Sequence, residues 1–178
     1  IVGDGINLEN TTYTNQAGII YKDGDAFIHD FERGNNGTVT TQGRNLFIGK
    51  NAGNFSMGNT ATSATHASYN VGIGMYSLNK NTTGYNNTAN GYNALYSNTT
   101  GYKNTAYGSY ASQLNTTGYE NTALGSYALQ KNTTGYNNTA IGVLSGYSVD
   151  GGGSNQTSSD SIYIGYDTRA SADGNTNE

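Results

Sequence analysis

Two histidines, His29 and His66, are the only side chains whose ordinary pKa suits acid–base work near neutrality. His29 falls in a stretch that alternates like a strand, and His66 in a loop-like insertion, so each reads more simply as packing or surface. Asp23 and Asp25 flank Gly24 and form a turn signal rather than a metal pair. Asp150, followed by Gly151–Gly153 and later by Asp160, offers the oxygen ligands that calcium takes. The loop lacks densely alternating Asp, however, and no metal is expected there. Glu9, Glu32, Glu120 and Glu178 are scattered along the chain. Glycoside cleavage requires two carboxylates facing one bond, and residues 70–148 contain just one, Glu120. There is no G-x-S-x-G, Walker or zinc motif, and no Cys for thiolate or disulfide chemistry. The expectation is a non-enzymatic protein without cofactor. Asn-x-Ser/Thr sequons recur at Asn81, Asn86, Asn98, Asn115, Asn132 and Asn137, and at Asn10, Asn36, Asn54 and Asn155. Repetition explains them more simply than glycosylation does.

What the chain has in place of ionisable groups is Gly, Tyr, Asn and Thr, which make up 92 of its 178 residues. Only 11% are charged, net charge is −4, and Pro is absent. Disordered chains usually combine low hydropathy with high net charge and few aromatics. Sixteen tyrosines and little charge point instead to an ordered, β-rich object with a thin core. Scattered Lys and Arg give no basic footprint for nucleic acid, and no apolar run reaches the 18 residues of a membrane span.

The elements must come from the repeat. Gly84, Gly101, Gly118 and Gly135 recur in "TTGY" every seventeen residues. Gly74, Gly91, Gly108, Gly125 and Gly142 form a second ladder of the same period. Gly49 and Gly165 extend it across the loop-like insertions near 54–66 and 150–160. Seven coils result, with regular coils over 70–148, and fixed periodicity of this kind marks a solenoid. The expected fold is all-β: a parallel β-solenoid, here a two-sided β-roll, over 43–178. Stacked coils about 4.8 Å apart give roughly 30–35 Å of rod.

Four residues before the second Gly ladder stands Asn70, Asn87, Asn104, Asn121 or Asn138. Superposed coils place Asn over Asn as an amide ladder. Tyr85, Tyr102, Tyr119 and Tyr136 would stack likewise and form a possible surface-contact row. Positions three and one before the Gly share a strand face, apolar at both ends of the array and mixed between. Between them lie Ala89, Ala106, Ala123 and Ala140, which let something pack closely. A second strand is expected over "MYSL", "YNAL", "SYAS" and "SYAL", with Leu78, Leu95 and Leu129 aligned. The Gly of "NTTGY" is expected to take positive φ. A core of Ala and Thr buries little apolar area against the cost of ordering the backbone. The Ala and Leu rows are therefore the expected contacts of a homo-oligomer, with a threefold trimer preferred. Residues 1–42 read as a small β-region that caps or docks the first coil. "KDGD" (22–25) there is a hairpin turn between two apolar stretches.

The "NTAxG" and "NLFIG" ladders resemble the head repeats of trimeric autotransporter adhesins. Similar too is the repeat region of phage tail-fibre-like and bacterial surface proteins, through "AGIIYKDGDAFIHDF", "FIGKNAGNFSMG" and the "LYSNTTGYxNTAxG" run. The resemblance implies a rod of parallel β-rolls, three chains about an axis, at a cell surface or on a virion. Two functions follow as expectations: a structural subunit of an extracellular fibre, or an adhesin contacting cell-surface glycan through Tyr, Asn and Thr rows. Joined tail to head, "NTNE" and "IVGDG" read as one further coil, so Ile1, Val2, Gly3 and Glu178 are the expected junction of a head-to-tail polymer. A fragment of a longer rod would read the same way.

Overall fold

The computed structural model describes residues 11–12, 20–22, 25–29, 31–33, 38–149, 151–172 and 174. Among the described residues, four short strands precede the coils: β1 (Thr11–Thr12), β2 (Ile20–Lys22), β3 (Asp25–His29) and β4 (Phe31–Arg33). Each coil then contributes one three-residue strand: β5 (Leu46–Ile48), β6 (Val71–Ile73), β7 (Thr88–Asn90), β8 (Thr105–Tyr107), β9 (Thr122–Leu124), β10 (Thr139–Ile141) and β11 (Ile162–Ile164). β5 to β11 pair in parallel in strict chain order, so the seven form one continuous parallel sheet. Their register follows the repeat: Ala89 pairs with Ala106, Ala106 with Ala123, and Ala123 with Ala140. Both insertions leave it intact, since Phe47 still pairs with Gly72 and Ala140 with Tyr163. This is the parallel solenoid expected.

At its N-terminal end the sheet turns antiparallel. β2 and β3 form the hairpin that the Asp-Gly signal predicts, and β3 pairs with β5 through Ile28↔Ile48 and His29↔Phe47. β1 and β4 pair with each other in a separate two-stranded sheet.

Three sequence expectations about the coil interior are corrected. First, the strands face the other way. The middle residue points inward: Phe47, Ala89, Ala106, Ala123, Ala140 and Tyr163 are buried. The threonines and aliphatics on either side, Thr88 and Thr105 among them, face out. A coil of seventeen residues is too narrow for large inward side chains at every strand, so the small row had to be the inner one. Second, the Ala and Leu rows are not free for partners. Leu78, Leu95 and Leu129 are fully buried and form one core cluster with the alanines. Third, the far side of the coil is not a strand. Tyr76, Asn93, Tyr110 and Tyr127 have φ of 56–62°, and Leu78, Leu95, Ser112 and Leu129 have φ of 46–51°. Left-handed residues at every second position curl the chain into successive turns. These turns still bond coil to coil, as in Tyr110 N–H to Tyr92 C=O (2.8 Å) and Leu129 N–H to Ser145 C=O (2.9 Å).

Core volume is balanced between the two sides. Where the inward strand residue is large, its neighbours are glycine. A Cβ on Gly53 or Gly72 would lie 2.6 or 2.8 Å from the Phe47 ring, and one on Gly146 would lie 2.8 Å from Tyr163. Where the strand offers Gly72, Ala89 or Ala123, the turn side supplies Leu78, Leu95 or Leu129, whereas the Ala106 coil has Ser112 and the Ala140 coil has Gly146 beneath Tyr163.

Two substitutions test this packing. Leu95→Ala should lower unfolding free energy by about 2–4 kcal/mol in chemical denaturation, because a thin core cannot collapse around the void. Gly108 has φ +134°, and a Cβ there would sit 2.6 Å from the Gly125 carbonyl carbon and oxygen. Gly108→Ala should cost at least about 3 kcal/mol, since backbone strain and steric overlap add.

Candidate functional surface

Asparagine carboxamides do the polar work inside the coils. Asn45, Asn70, Asn87, Asn104, Asn121 and Asn138 are all buried and hydrogen-bonded in series. Take Asn104. Its backbone N–H and its Nδ2 both donate to Asn87 Oδ1, at 3.0 and 3.1 Å, and Nδ2 also donates to the Gly118 carbonyl at 2.9 Å. Its own Oδ1 accepts from the Asn121 backbone and side chain at 3.0 and 3.2 Å. Every donor and acceptor of the carboxamide is used, which is what a buried polar group requires. Ser161 closes the series by donating its N–H to Asn138 Oδ1.

A second asparagine ladder was not anticipated. Asn81, Asn98, Asn115 and Asn132 open the "NTTG" turns and are also buried. Asn98 Nδ2 donates to Asn81 Oδ1 and Asn115 Nδ2 to Asn98 Oδ1, both at 2.8 Å. Their period of seventeen was the signal, but these residues drew attention as sequons. In the folded protein their amide nitrogens are committed to the interior, whereas Asn86 and Asn137 are exposed. The ladder breaks once: Asn115 Oδ1 is buried without a partner, and Asn132 turns to its own turn, accepting from the Gly135 N–H.

The glycines of "NTTGY" do not serve the role expected of them. Gly84, Gly101, Gly118 and Gly135 are not among the positive-φ residues. They are glycine for space, since a Cβ on Gly101 would sit 2.3 Å from both Asn98 Oδ1 and the Gly118 carbonyl. The other ladder, Gly74, Gly91, Gly108, Gly125 and Gly142, has φ of 120–143°, a region side chains seldom enter.

On the outside, Tyr85, Tyr102, Tyr119 and Tyr136 stack in parallel, with centroids 4.9–5.0 Å apart and planes within 2–6°. His66 continues the column at 6.2 Å from Tyr85. Each inner ring therefore has both faces occupied and presents only its edge and hydroxyl. A second tyrosine column, two residues after the Gly ladder, is interrupted. Tyr110 and Tyr127 stack at 5.0 Å, but Asn93 occupies the preceding rung and its tyrosine, Tyr92, stands one residue earlier. Tyr92 meets Tyr110 edge-on at 5.1 Å and 85°, and Tyr76 at 6.4 Å and 72°. Tyr76 and Tyr96 are likewise edge-on, at 6.3 Å and 80°. Tyr76, Tyr92 and Tyr96, with Asn93 and Gln113, line an open cleft of about 350 Å³. Lys80 lies 5.8 Å over the Tyr96 ring and borders a second cleft of about 410 Å³ with Phe55 and Asn79.

The ionisable residues are dispersed. His66 Nδ1 accepts from Thr62 N–H at 3.3 Å, Glu120 pairs with Lys103 at 2.7 Å, and Asp160 accepts from Asn137 at 2.9 Å. Among the described residues, no group of three or more His, Asp or Glu is placed to hold a metal ion. No helix among them is long and apolar enough to cross a membrane. Ile1, Val2, Gly3, Glu178 and Asp150 lie outside the described residues. No protein-family model, curated protein or solved structure matches the chain.

Stacking perturbs the phenols. Burial raises the hydroxyls of Tyr110 and Tyr119 above the ordinary tyrosine value, and neighbouring tyrosines raise them further. The unfolded chain then loses these protons first. Stability should be full below about pH 10 and fall as pH climbs through the folded values. Thermal melts across that range check this, with Tyr119→Phe softening the alkaline loss. Inside the roll, Asn104→Leu removes four hydrogen bonds: it orphans the Asn121 N–H and takes one of two partners from the Asn121 amide, from Asn87 Oδ1 and from the Gly118 carbonyl. Roughly 3–5 kcal/mol of stability should be lost in denaturant titration.

Proposed function

We propose that the chain is a non-enzymatic structural rod of an extracellular fibre, assembled from several copies packed through the outer face of the parallel sheet. One observation carries the reading. The outward row of the strands is apolar yet uncovered: Tyr107 is 56% exposed, Leu124 45%, Ile162 63% and Ile164 65%. With Ile141 on β10, 39% exposed, they form a stripe across the four neighbouring strands β8 to β11. Contiguous exposed apolar surface of this kind marks an association face. A repeat array offers its neighbour the same residue at the same height on every coil, so copies aligned along the rod match rung for rung. Threefold packing about an axis parallel to the rod would hide the stripe of every copy at once.

Axial growth is the companion proposal. β11 ends the sheet among the described residues, and an edge strand is a template for further pairing. At the opposite end the β2–β3 hairpin already covers β5, so a head-to-tail contact would meet β2 rather than an open coil.

A second reading, contact with cell-surface glycan, is favoured by the tyrosine-walled cleft. Its form differs from a row of exposed rings, because the regular column of Tyr85 to Tyr136 has no free faces between its ends.

Light scattering and negative-stain microscopy of the purified chain test the structural reading. Trimers or longer rods are expected. The double substitution Leu124→Asp, Ile141→Asp should give a monomer with an unchanged circular dichroism spectrum. A wild-type chain that stays a folded monomer at micromolar concentration would sink the proposal.

A further inference from the structure

We infer that the cleft bounded by Tyr76, Tyr92, Asn93, Tyr96 and Gln113 is a saccharide subsite that takes one neutral pyranose of an oligosaccharide. The inference rests on the glycan reading above and deepens it by naming the place.

The cleft exists because the sequence departs from its own repeat. Neighbouring coils write Met75-Tyr76, Ser109-Tyr110 and Ser126-Tyr127, whereas this one writes Tyr92-Asn93. The shift removes one ring from the tyrosine column, and two coil spacings, roughly 9–10 Å, then separate the rungs on either side. Tyr96 adds a further departure, since the equivalent residues in adjacent coils are Asn79 and Gln113. The rings here are mutually edge-on, at 72°, 80° and 85°, unlike the near-parallel planes of the intact column. A parallel stack uses its faces on itself, whereas edge-on rings leave faces for a guest.

The chemistry of the lining suits a sugar. A pyranose presents a face of C–H groups to an aromatic ring and a rim of hydroxyls to amides. Tyr92, 37% exposed, offers the ring. Gln113 Oε1 accepts from Gln130 Nε2 at 2.7 Å, which orients its own Nε2 for donation elsewhere. The Asn93 amide and the Tyr92 hydroxyl supply further polar groups at the edge of the cleft. No carboxylate lines the cleft. Its volume of about 350 Å³ accommodates one ring with its water. Lys80, which lies over the Tyr96 ring, also lines the second cleft with Phe55 and Asn79, so the two clefts adjoin through this side chain.

The test repairs the repeat. Tyr92→Ser combined with Asn93→Tyr restores the "GSYAL" phrase of the coil at 125–129 and should fill the cleft while folding as before. Saturation-transfer NMR with cellotetraose, maltotetraose, mannotetraose and galactotetraose is run on the full chain. Wild type should bind at least one of the four. The repaired variant should lose that binding, Tyr96→Ala should weaken it at least about tenfold, and Tyr119→Phe on the intact column should leave it unchanged. Should the repaired chain fail to fold, Tyr96→Ala alone decides. Binding that survives both variants would overturn the subsite and leave the glycan reading standing. Absence of binding to all four sugars would overturn both, and neither result touches self-association, which light scattering reads separately.

Discussion

The structure depends on one arrangement: a carboxamide buried inside each coil that must hydrogen-bond to the same carboxamide in the next. Asn104 is held by Asn87 on one side and holds Asn121 on the other, while its Nδ2 also reaches the Gly118 carbonyl at the closing end of its own coil. An unsatisfied amide in this interior would cost more than a made one returns. The ladder therefore fixes the register of every coil and ties the two ends of each coil together. Insertions are tolerated only where they loop out between rungs. Both insertions obey this, since Asn70 still donates to Asn45 Oδ1 and Ser161 to Asn138 Oδ1.

Close stacking follows from the ladder and sets the glycine rows. Coils held rung to rung bring backbone against backbone, so that a Cβ on Gly91 would lie 2.4 Å from the Gly108 oxygen. In the coils of β7 to β10 the same tightness limits the interior to one alanine from the strand and one Leu or smaller from the turn side, while Phe47 and Tyr163 fit at the two ends only against glycine. Aliphatic residues that cannot fit inside are left on the outer face. An exposed apolar stripe is thus a consequence of a polar interior, and a lone rod of this design has more apolar surface than it can bury by itself.

The seventeen-residue period, the Gly ladders, the first Asn ladder and the strand positions were legible because stacking demands identity, and identity is visible in one sequence. The β2–β3 hairpin was legible from Asp23-Gly24. Strand orientation was misread for a physical reason. Hydropathy assigns Ile, Val and Leu to the core and treats Ala as neutral, but in so narrow a coil volume outranks hydropathy. Ala106 is inside and Leu124 outside on that ground. The turn side was misread because its apolar spacing imitates a strand, while left-handed φ at Tyr110 and Ser112 leaves no mark in residue type. Asn115 and its equivalents were hidden by a competing pattern, the sequon, which shares their letters.

Identity also decides where function can be sought. In a stacked array each repeated side chain is explained by the rung above and below it, so repetition carries little information about ligands. Tyr102 is repeated, and its ring faces are occupied by Tyr85 and Tyr119. Tyr92 is not repeated, and its ring stands across the column instead of within it. The departure exchanges two parallel ring contacts for two edge-on ones, and both kinds are worth about 0.5–1.5 kcal/mol per pair, so aromatic energetics do not demand it. Backbone demand at this rung does not require it, because Tyr110 and Tyr127 adopt φ of 60° and 61° where Asn93 has 56°. The chain could have placed tyrosine at 93 as it does in the coils beyond, and the ring it displaced to 92 is the one that walls the cleft.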